Sequence, residues 1–381
     1  MREPCEAQAA KSAVSANAAA VATSLPLAIF HPRTLLPLVI PAMLSIYRRA
    51  LGALTLCLAL DPVAAQSADQ AAFKRAADYS EAERGDGVLV MINGRVVFEQ
   101  YARSASPART HLLASGTKSF SGVLAVAAQA DGILTLDEPV SETIREWRGD
   151  ARREGITIRQ LLSLTSGIAG GVNLTPPAYA ESVSADLTAE PGSKFQYGAA
   201  PFQIFGELLK RKLESRGETV ASFMTRRILD PLGIRTGFWR DAAKGEPQLP
   251  SGAYLNAREW AKFGEFVRNR GAHNGEQLIP AELMDELSRG TAANPAYGLT
   301  FWLNNDVPPE LRAEIRQLQN NMGGMDRVPG LEGMITAAGA FKQRLYIISA
   351  RRMVVVRFGN SVGPQFDDAQ FLGLLTGSIR D

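Results

Sequence analysis

The segment Ser115-Gly116-Thr117-Lys118 places a serine hydroxyl and a lysine amine three residues apart. If a helix begins at Ser115, Lys118 lies one turn further along on the same face, so its amine can reach the hydroxyl. The positive end of the helix dipole would favour a developing alkoxide and lower the pKa of the lysine. Such a serine can attack a carbonyl carbon without help from a histidine. The same spacing also suits a helix N-cap followed by a solvated lysine, so the pattern alone leaves both interpretations open.

A second candidate nucleophile is Ser361, in the run Gly359-Asn-Ser-Val-Gly363. This run matches the G-x-S-x-G elbow between a strand and a helix, but the elbow requires an acid and then a histidine later in the chain. No histidine follows Ser361, so an ordinary glycine-rich turn is favoured. His111 lies four residues before Ser115, but no arrangement of an acid partner is visible, and a structural role is favoured for it.

Composition excludes several classes of function. Lys and Arg number 41 against 39 Asp and Glu, so the chain lacks the basic excess of a nucleic-acid-binding protein. With two cysteines, Cys5 and Cys57, and three histidines, zinc ribbons and disulfide frameworks are excluded. His273 lies in the turn Gly271-Ala-His-Asn-Gly275 and is expected to be exposed. We expect no metal and no cofactor, and Gly116-Thr-Lys-Ser119 lacks the Gly-Lys step of a phosphate loop.

The first 65 residues predict a leader. Arg48 and Arg49 precede an apolar run of eleven residues, Ala50 to Leu60, which is too short to span a bilayer but suits a signal peptide. Val63-Ala-Ala65 resembles a cleavage site, so cleavage is predicted after Ala65, and Met43 is predicted to be the true start. The alternative is a long, uncleaved anchor. We therefore expect an exported protein, periplasmic or secreted in a bacterium, with no stable membrane span after cleavage.

Residues 66–381 are expected to form the functional domain. A leading helix over 66–85 precedes strands at Gly87 to Ile92 and Arg95 to Tyr101, with Asn93-Gly94 as the hairpin turn between them. Strands are predicted again at Tyr297 to Leu303, Gln343 to Ser349 and Met353 to Phe358, followed by a helix over Phe366 to Ile379. Strands at both ends predict an antiparallel sheet completed by the two ends of the chain, from about 86–118 and 296–381.

The middle of the chain, about 119–295, is predicted to be a helical insertion. Apolar residues spaced three or four apart indicate helices, at Ser119 to Ala130, Ile158 to Leu164, Pro201 to Leu213, Val220 to Leu229 and Ala257 to Arg270. The fold class is therefore α/β, in the broad sense that includes α+β. A site would lie in the cleft between the sheet and the insertion.

The Ser-x-x-Lys segment is accompanied by further motifs of one family. Leu112-Leu-Ala-Ser-Gly-Thr-Lys-Ser-Phe120 resembles the nucleophile segment of the class C β-lactamase-related serine hydrolases. Further family markers follow in the family's order: Asp131 to Val140, Ile156 to Gly167, Pro231-Leu-Gly233, Ala257 to Gly264 and Tyr297 to Trp302. The resemblance covers roughly Gly87 to Phe358. It implies a β-lactamase/transpeptidase-like fold and Ser115 and Lys118 as catalytic residues.

The family's second motif, Tyr-x-Asn, is matched in part by Phe195-Gln-Tyr-Gly-Ala199. By resemblance Tyr197 is the phenol beside the serine–lysine pair and passes a proton to the leaving group. Ala199 stands where the family has asparagine, at a position that would face substrate. A lone tyrosine here could instead only pack a loop.

The third motif, Lys- or His-Thr-Gly, is matched only in its glycine by Ala337-Ala338-Gly339. Gly339 would let the backbone approach substrate, and Gln343 is a further expected substrate contact. The backbone N–H groups of Ser115 and Ala340 would form the oxyanion hole, which needs no particular side chains.

These departures bear on the substrate. The family's lysine and threonine hold the carboxylate of a β-lactam, and this chain has alanines there. The resemblance therefore implies a serine hydrolase that cleaves a neutral ester or amide through an acyl-enzyme on Ser115. We expect a monomer, without nucleic acid as a partner. The alternatives are a non-catalytic homologue that binds envelope peptides, or a weak β-lactamase.

Overall fold

Strands from the two ends of the chain pair with each other in one six-stranded antiparallel sheet. The computed structural model describes residues 62–102, 105–169, 175–313, 327–360 and 366–377, all within one compact unit, Leu60–Asp381. In chain order the strands are β1 (Gly85–Ile92), β2 (Arg95–Tyr101), β3 (His111–Leu112), β4 (Phe238–Trp239), β5 (Asp241–Ala243), β6 (Glu246–Pro247), β7 (Ala253–Leu255), β8 (Ala272–His273), β9 (Glu276–Gln277), β10 (Trp302–Leu303), β11 (Ile335–Gly339), β12 (Gln343–Ile348) and β13 (Met353–Gly359). The large sheet has the order β10-β11-β12-β13-β1-β2, which confirms the predicted sheet.

The hairpin predicted around Asn93-Gly94 is also confirmed. β1 and β2 pair antiparallel, and the φ angles of Asn93 and Gly94 are 50° and 74°. Asparagine and glycine tolerate this left-handed region better than other residues, which is why this dipeptide closes a two-residue turn. On its other side β1 pairs with β13, with Val90 opposite Val355.

Helices cover both faces of the sheet and fill the middle of the chain. They are α1 (Pro62–Ala82), α2 (Lys118–Ala130), α3 (Ile158–Leu162), α4 (Tyr179–Ser182), α5 (Ala200–Leu213), α6 (Val220–Met224), α7 (Ala257–Arg268), α8 (Ala281–Met284) and α9 (Asp368–Thr376). The predicted helices of the middle segment are thus present. The predicted helix over 220–229 continues past α6 as a π-helical turn, Thr225–Leu229.

Successive side chains of β12 point to opposite faces of the sheet and so enter two different hydrophobic cores. Leu345 and Ile347 belong to a large core with α2, α5 and α7, whereas Tyr346 and Ile348 belong to a smaller core with α1 and α9. Gly264 lets α7 approach the sheet, because a Cβ there would lie 2.7 Å from a side-chain carbon of Val354. The first and last helices thus lie on one face, and the helices of the middle segment on the other.

Two features of the middle and late chain differ from the prediction. The middle segment is not purely helical, because its strands β4 and β7 form a small sheet with β3, which precedes the segment. The strand predicted over 297–303 shrinks to Trp302–Leu303, since the chain turns sharply at Thr300, which has a φ of 75°. A residue with that φ cannot continue an extended strand.

The predicted leader lies largely outside the described residues. Helix α1 begins at Pro62 and therefore includes the predicted cleavage site, and it ends at Ala82, three residues before the predicted end of the leading helix. Its residues Phe73, Ala76 and Ala77 are buried against the sheet. Within the described part of the chain, no helix is both long and apolar enough to cross a membrane.

Candidate active site

Ser115 lies in a tight turn at the entrance to helix α2. The turn is a 3₁₀ segment, Ala114–Thr117, and α2 begins at Lys118, so Ser115 precedes the α-helix rather than starting it. Ala114 has a φ of 48°, an uncommon conformation for alanine. Gly116 packs on the Trp260 ring, where a Cβ would lie only 2.8 Å from a ring carbon. The turn leaves the Ser115 side chain half-buried rather than enclosed.

Lys118 reaches back to Ser115 as the spacing predicts. Its Nζ lies 3.0 Å from Ser115 Oγ and 3.1 Å from the carbonyl oxygen of Pro250. The side chain is buried, with Nζ 5.3 Å from the centre of the Phe202 ring. Burial lowers the pKa of Lys118 from 10.5 to about 7, because a charged ammonium loses its hydration there. A large fraction of this amine is therefore neutral, and basic, near neutral pH.

Tyr197 completes the group of polar side chains around the serine. Lys118 Nζ lies 4.9 Å from the centre of the Tyr197 ring. Burial raises the pKa of Tyr197 to about 12, and a hydrogen bond with the Ser115 side chain and the charge of Arg344 oppose that rise. Tyr197 is therefore protonated at neutral pH, which suits a proton donor. The structure thus brings Ser115, Lys118 and Tyr197 together.

Aromatic side chains fix the Tyr197 ring. It stacks on Trp302 with centroids 5.7 Å apart, and meets Tyr297 edge-on at 6.3 Å. Phe195 contacts both Tyr297 and Trp302. Such contacts are worth roughly 0.5–1.5 kcal/mol each beyond area burial, so the phenol is held rather than mobile.

The end of strand β11 lies directly against the nucleophile turn. A Cβ on Gly339 would sit 2.0 Å from the carbonyl oxygen of Leu113 and 3.0 Å from the amide nitrogen of Gly116. No side chain fits in that space, which explains why the glycine of the third motif is present while its other residues are replaced. Ala340 follows at the start of a 3₁₀ turn, Ala340–Lys342. The backbone of Ala340 therefore leaves the sheet close to Ser115.

Two expected substrate contacts have other surroundings. The Gln343 amide is buried and donates to the carbonyl of Gly359 at 2.7 Å while accepting from its N–H at 3.2 Å. This side chain therefore joins β12 to β13, and the geometry does not support its expected contact with substrate. The direction of this side chain could not be predicted from the sequence, because a glutamine at the start of a strand can lie on either face of the sheet. Ala199 is buried at the N-terminus of α5 and brings no polar group.

Two further residues considered in the sequence, His111 and His273, have other surroundings. His111 stacks on Phe358 with centroids 4.3 Å apart, and burial lowers its pKa. Its Nε2 has no hydrogen-bond partner among the described residues. It therefore acts as a packing residue here. His273 is half-buried in strand β8, not exposed as expected. Ser361 lies outside the described residues.

Two contributors could not be found from the sequence. Pro250 acts through its backbone carbonyl, which any residue would supply, and lies 132 residues from Lys118 in the chain. Trp260 supports the turn by packing under Gly116, and its position in the marker Ala257 to Gly264 was the only indication. No group of three His, Cys, Asp or Glu side chains in the described part of the chain is placed to hold a metal ion.

Comparison with known proteins identifies a family. Residues 70–375 match the model of the family described as Beta-lactamase. An uncharacterized protein of Alkalihalophilus pseudofirmus is 23% identical over 314 residues, which covers 73% of this chain and 84% of the relative.

Solved structures share the fold at low identity. EstCE1, described as a hydrolase with promiscuous acyltransferase activity, superposes with a TM-score of 0.63 at 18% identity and covers 82% of this chain and 99% of its own. A penicillin-binding protein homologue from Caulobacter crescentus gives a TM-score of 0.61 at 16% identity, with 81% and 96% coverage. The fold of this chain is therefore β-lactamase/transpeptidase-like, and with the match over 70–375 the chain belongs to the beta-lactamase family.

Proposed function

We propose that this chain is an exported serine hydrolase that cleaves an ester or amide bond through an acyl-enzyme on Ser115. The observation that carries the proposal is the 3.0 Å contact between Ser115 Oγ and the buried Nζ of Lys118. An amine with a pKa near 7 can take the serine proton at neutral pH, as a general base should.

In the first step Ser115 Oγ forms a bond to the carbonyl carbon of the substrate. Its proton passes to the neutral amine of Lys118, and the π electrons of the carbonyl move to the oxygen. The backbone N–H groups of Ser115 and Ala340 would stabilise this oxyanion, as expected from the family resemblance. The closeness of Gly339 to the nucleophile turn supports this placement.

In the second step the bond to the leaving group breaks and the carbonyl forms again. Tyr197 supplies the proton to the departing oxygen or nitrogen, and the ammonium of Lys118 restores the proton of the phenol. Tyr197 hydrogen-bonds to Ser115 and its ring lies beside Lys118 Nζ, which supports both transfers. Water then attacks the acyl-enzyme by the same route in reverse and frees the acid.

The substrate we propose is neutral. Ala337, Ala338 and Ala199 offer no charge or hydrogen bond where the family binds the carboxylate and amide groups of β-lactams. EstCE1, whose fold this chain shares, is described as a hydrolase with promiscuous acyltransferase activity, which supports acyl transfer as the reaction class. We also propose that the chain is exported through the signal peptide predicted before Ala65, and acts as a monomer.

Covalent labelling tests this function. A fluorophosphonate should label the wild-type protein and release fluoride, whereas Ser115→Ala should not be labelled. Ser361→Ala should be labelled as wild type is, and loss of labelling there instead would move the nucleophile to the C-terminal turn. A folded wild-type protein without labelling or esterase activity would overturn the proposal in favour of the non-catalytic peptide-binding alternative.

A further inference from the structure

A buried arginine, Arg344, hydrogen-bonds to the peptide unit whose N–H would be one of the two donors of the oxyanion hole. Arg344 is the second residue of β12, which begins directly after the turn that follows β11, and its side chain has no exposed surface. Its Nε and Nη2 donate to the two carboxylate oxygens of Asp368 at 2.7 and 3.1 Å. Asp368 is the first residue of α9, so the last helix fixes the orientation of this guanidinium.

The remaining nitrogen of this guanidinium faces the backbone of the turn. Nη1 of Arg344 donates to the carbonyl oxygens of Gly339 at 3.3 Å and Gln343 at 3.1 Å. The carbonyl of Gly339 and the N–H of Ala340 belong to the same peptide unit. Because a trans peptide is planar, its N–H points away from its carbonyl. Holding the carbonyl on one side therefore fixes the direction of the N–H on the other.

The turn needs such support. Phe341 and Lys342 have φ angles of 63° and 58°, a left-handed conformation that costs energy for both residues. A second buried arginine, Arg357, donates to the carbonyl of Lys342 at 2.9 Å. Two guanidinium groups from neighbouring strands therefore hold the backbone carbonyls of this strained turn.

The charge of the guanidinium also acts on the peptide. A cation bonded to a carbonyl polarises the peptide and makes its N–H a stronger donor, and the effect is largest where water is excluded. Tyr346, whose hydroxyl donates to Asp368 at 2.5 Å, and Lys342, whose Nζ lies 3.8 Å away, also face this carboxylate. The charge of Arg357 on β13 interacts with it as well. The carboxylate is thus shared among several donors.

We propose that Arg344 is a positioning residue that orients and polarises the Gly339–Ala340 peptide, so that the N–H of Ala340 stabilises the oxyanion. Asp368 holds the guanidinium in place for that role. This inference rests on the proposed function, because the Ala340 N–H matters only if acyl transfer takes place at Ser115.

The variants must separate this role from mere stability. Arg344→Lys keeps a positive charge, but its single nitrogen cannot bond to both Asp368 and the carbonyl of Gly339 as the planar guanidinium does. The double variant Arg344→Met with Asp368→Leu removes both charges together, which avoids leaving a buried carboxylate unpaired. Asp368→Asn keeps the guanidinium and weakens its anchor, and it also weakens the hydrogen bond from Tyr346. A matched control is Arg268→Met with Glu265→Leu, which removes a partly buried ion pair from α7.

Hydrolysis of a neutral p-nitrophenyl ester and binding of phenylboronic acid are measured together. Removing one oxyanion donor costs about a hundredfold or more in kcat, so disturbing one indirectly should cost about tenfold. We expect that loss in kcat for Arg344→Lys and for the double variant, a smaller loss for Asp368→Asn, and KM within threefold of wild type. Affinity for the boronic acid, which forms a tetrahedral adduct on serine, should fall in parallel with kcat. The Arg268 and Glu265 control should stay within twofold on both measures.

Failure of this inference is distinct from failure of the proposed function. If the wild-type protein is labelled by a fluorophosphonate, but folded Arg344 variants keep its kcat and boronic acid affinity, the inference is wrong and the hydrolase stands. A loss confined to KM would overturn it equally. If the double variant does not fold, the kcat values of Arg344→Lys and Asp368→Asn are compared instead. A larger loss of kcat in Arg344→Lys than in Asp368→Asn supports the inference, and wild-type kcat in both overturns it. A wild-type protein without any labelling would remove both proposals.

Discussion

The carbonyl oxygen of Pro250 lies 3.1 Å from Nζ of Lys118, although the two residues are 132 positions apart in the chain. A neutral lysine amine has two N–H donors and one lone pair. With one N–H directed to Pro250, the lone pair can turn toward the hydroxyl of Ser115, 3.0 Å away. A protonated lysine has no lone pair and cannot accept the serine proton. Activity should therefore depend on the ionisation of this amine.

The pH dependence of hydrolysis should report Lys118. For a neutral ester, kcat/KM is expected to rise with pH along a single limb with an apparent pKa near 7. Tyr197, with a pKa near 12, stays protonated over the accessible range and should add no falling limb below pH 9. The measurement is kcat/KM from pH 5 to 9. A flat profile, or a limb near pH 10, would show that this amine is not the base.

Replacing the lysine with an apolar side chain should stabilise the protein while it destroys activity. Between pH 7 and 10.5 the unfolded chain binds a proton at Lys118 that the folded chain does not, so wild-type stability rises with pH there. Lys118→Met lacks this dependence and should be more stable at pH 7 by about 1–3 kcal/mol, since functional sites often cost stability. Urea denaturation at pH 7 and pH 10 checks this. An advantage that does not shrink toward pH 10 would contradict the proton linkage.

Ser115 and Lys118 should behave as one unit. We expect Ser115→Ala and Lys118→Ala each to lower kcat/KM by about a thousandfold or more, and the double variant to be no worse than the poorer single one. Each single change removes the same proton transfer, so the second change has little left to remove. Esterase assays on the three variants test this. Losses that multiply in the double variant would mean that the two residues act independently.

The contact between Ser115 and Lys118 could be predicted because it depends on a short, local spacing. The step from Ser115 to Lys118 is three residues, and the sheet formed by both chain ends follows from β-rich runs at 87–101 and 343–358. Pro250 could not be predicted, because a backbone carbonyl has no signature and its position depends on the whole fold. The hydrogen bonds of Gln343 to Gly359 could not be predicted either, since alternation along a strand does not show which of its faces meets the cleft.

The close approach of β11 to the nucleophile turn predicts that Gly339→Ala is severe. Its Cβ would lie 2.0 Å from the carbonyl oxygen of Leu113, so the strand or the turn must move. We expect about 2 kcal/mol of lost stability, in the range for overpacking, and at least a hundredfold loss of kcat. Gly155→Ala is the matched control, because a Cβ at Gly155 meets nothing within 4 Å. Wild-type kcat in Gly339→Ala would show that the oxyanion hole lies elsewhere.

Substrate charge should follow from the alanines at 337 and 338. Short neutral esters should be hydrolysed far better than penicillins or cephalosporins, because the described part of the site shows no cationic side chain beside Ser115 other than Lys118. Lys342, the basic residue nearest in sequence, lies 3.8 Å from the Asp368 carboxylate. Arg344 and Arg357 are buried and bonded to Asp368, and to Ser80 and backbone carbonyls, respectively.

Introducing Ala337→Lys with Ala338→Thr should therefore improve anionic substrates selectively, by about 1–3 kcal/mol, the range for a charged hydrogen bond. The measurement is the ratio of kcat/KM for a neutral ester to that for a β-lactam, in wild type and in the double variant. Thermal unfolding confirms that the variant is folded, since both alanines are buried. A wild-type protein that already prefers the β-lactam would mean that another group binds the carboxylate. The neutral-substrate proposal would then fall, while attack by Ser115 with Lys118 as its base would stand.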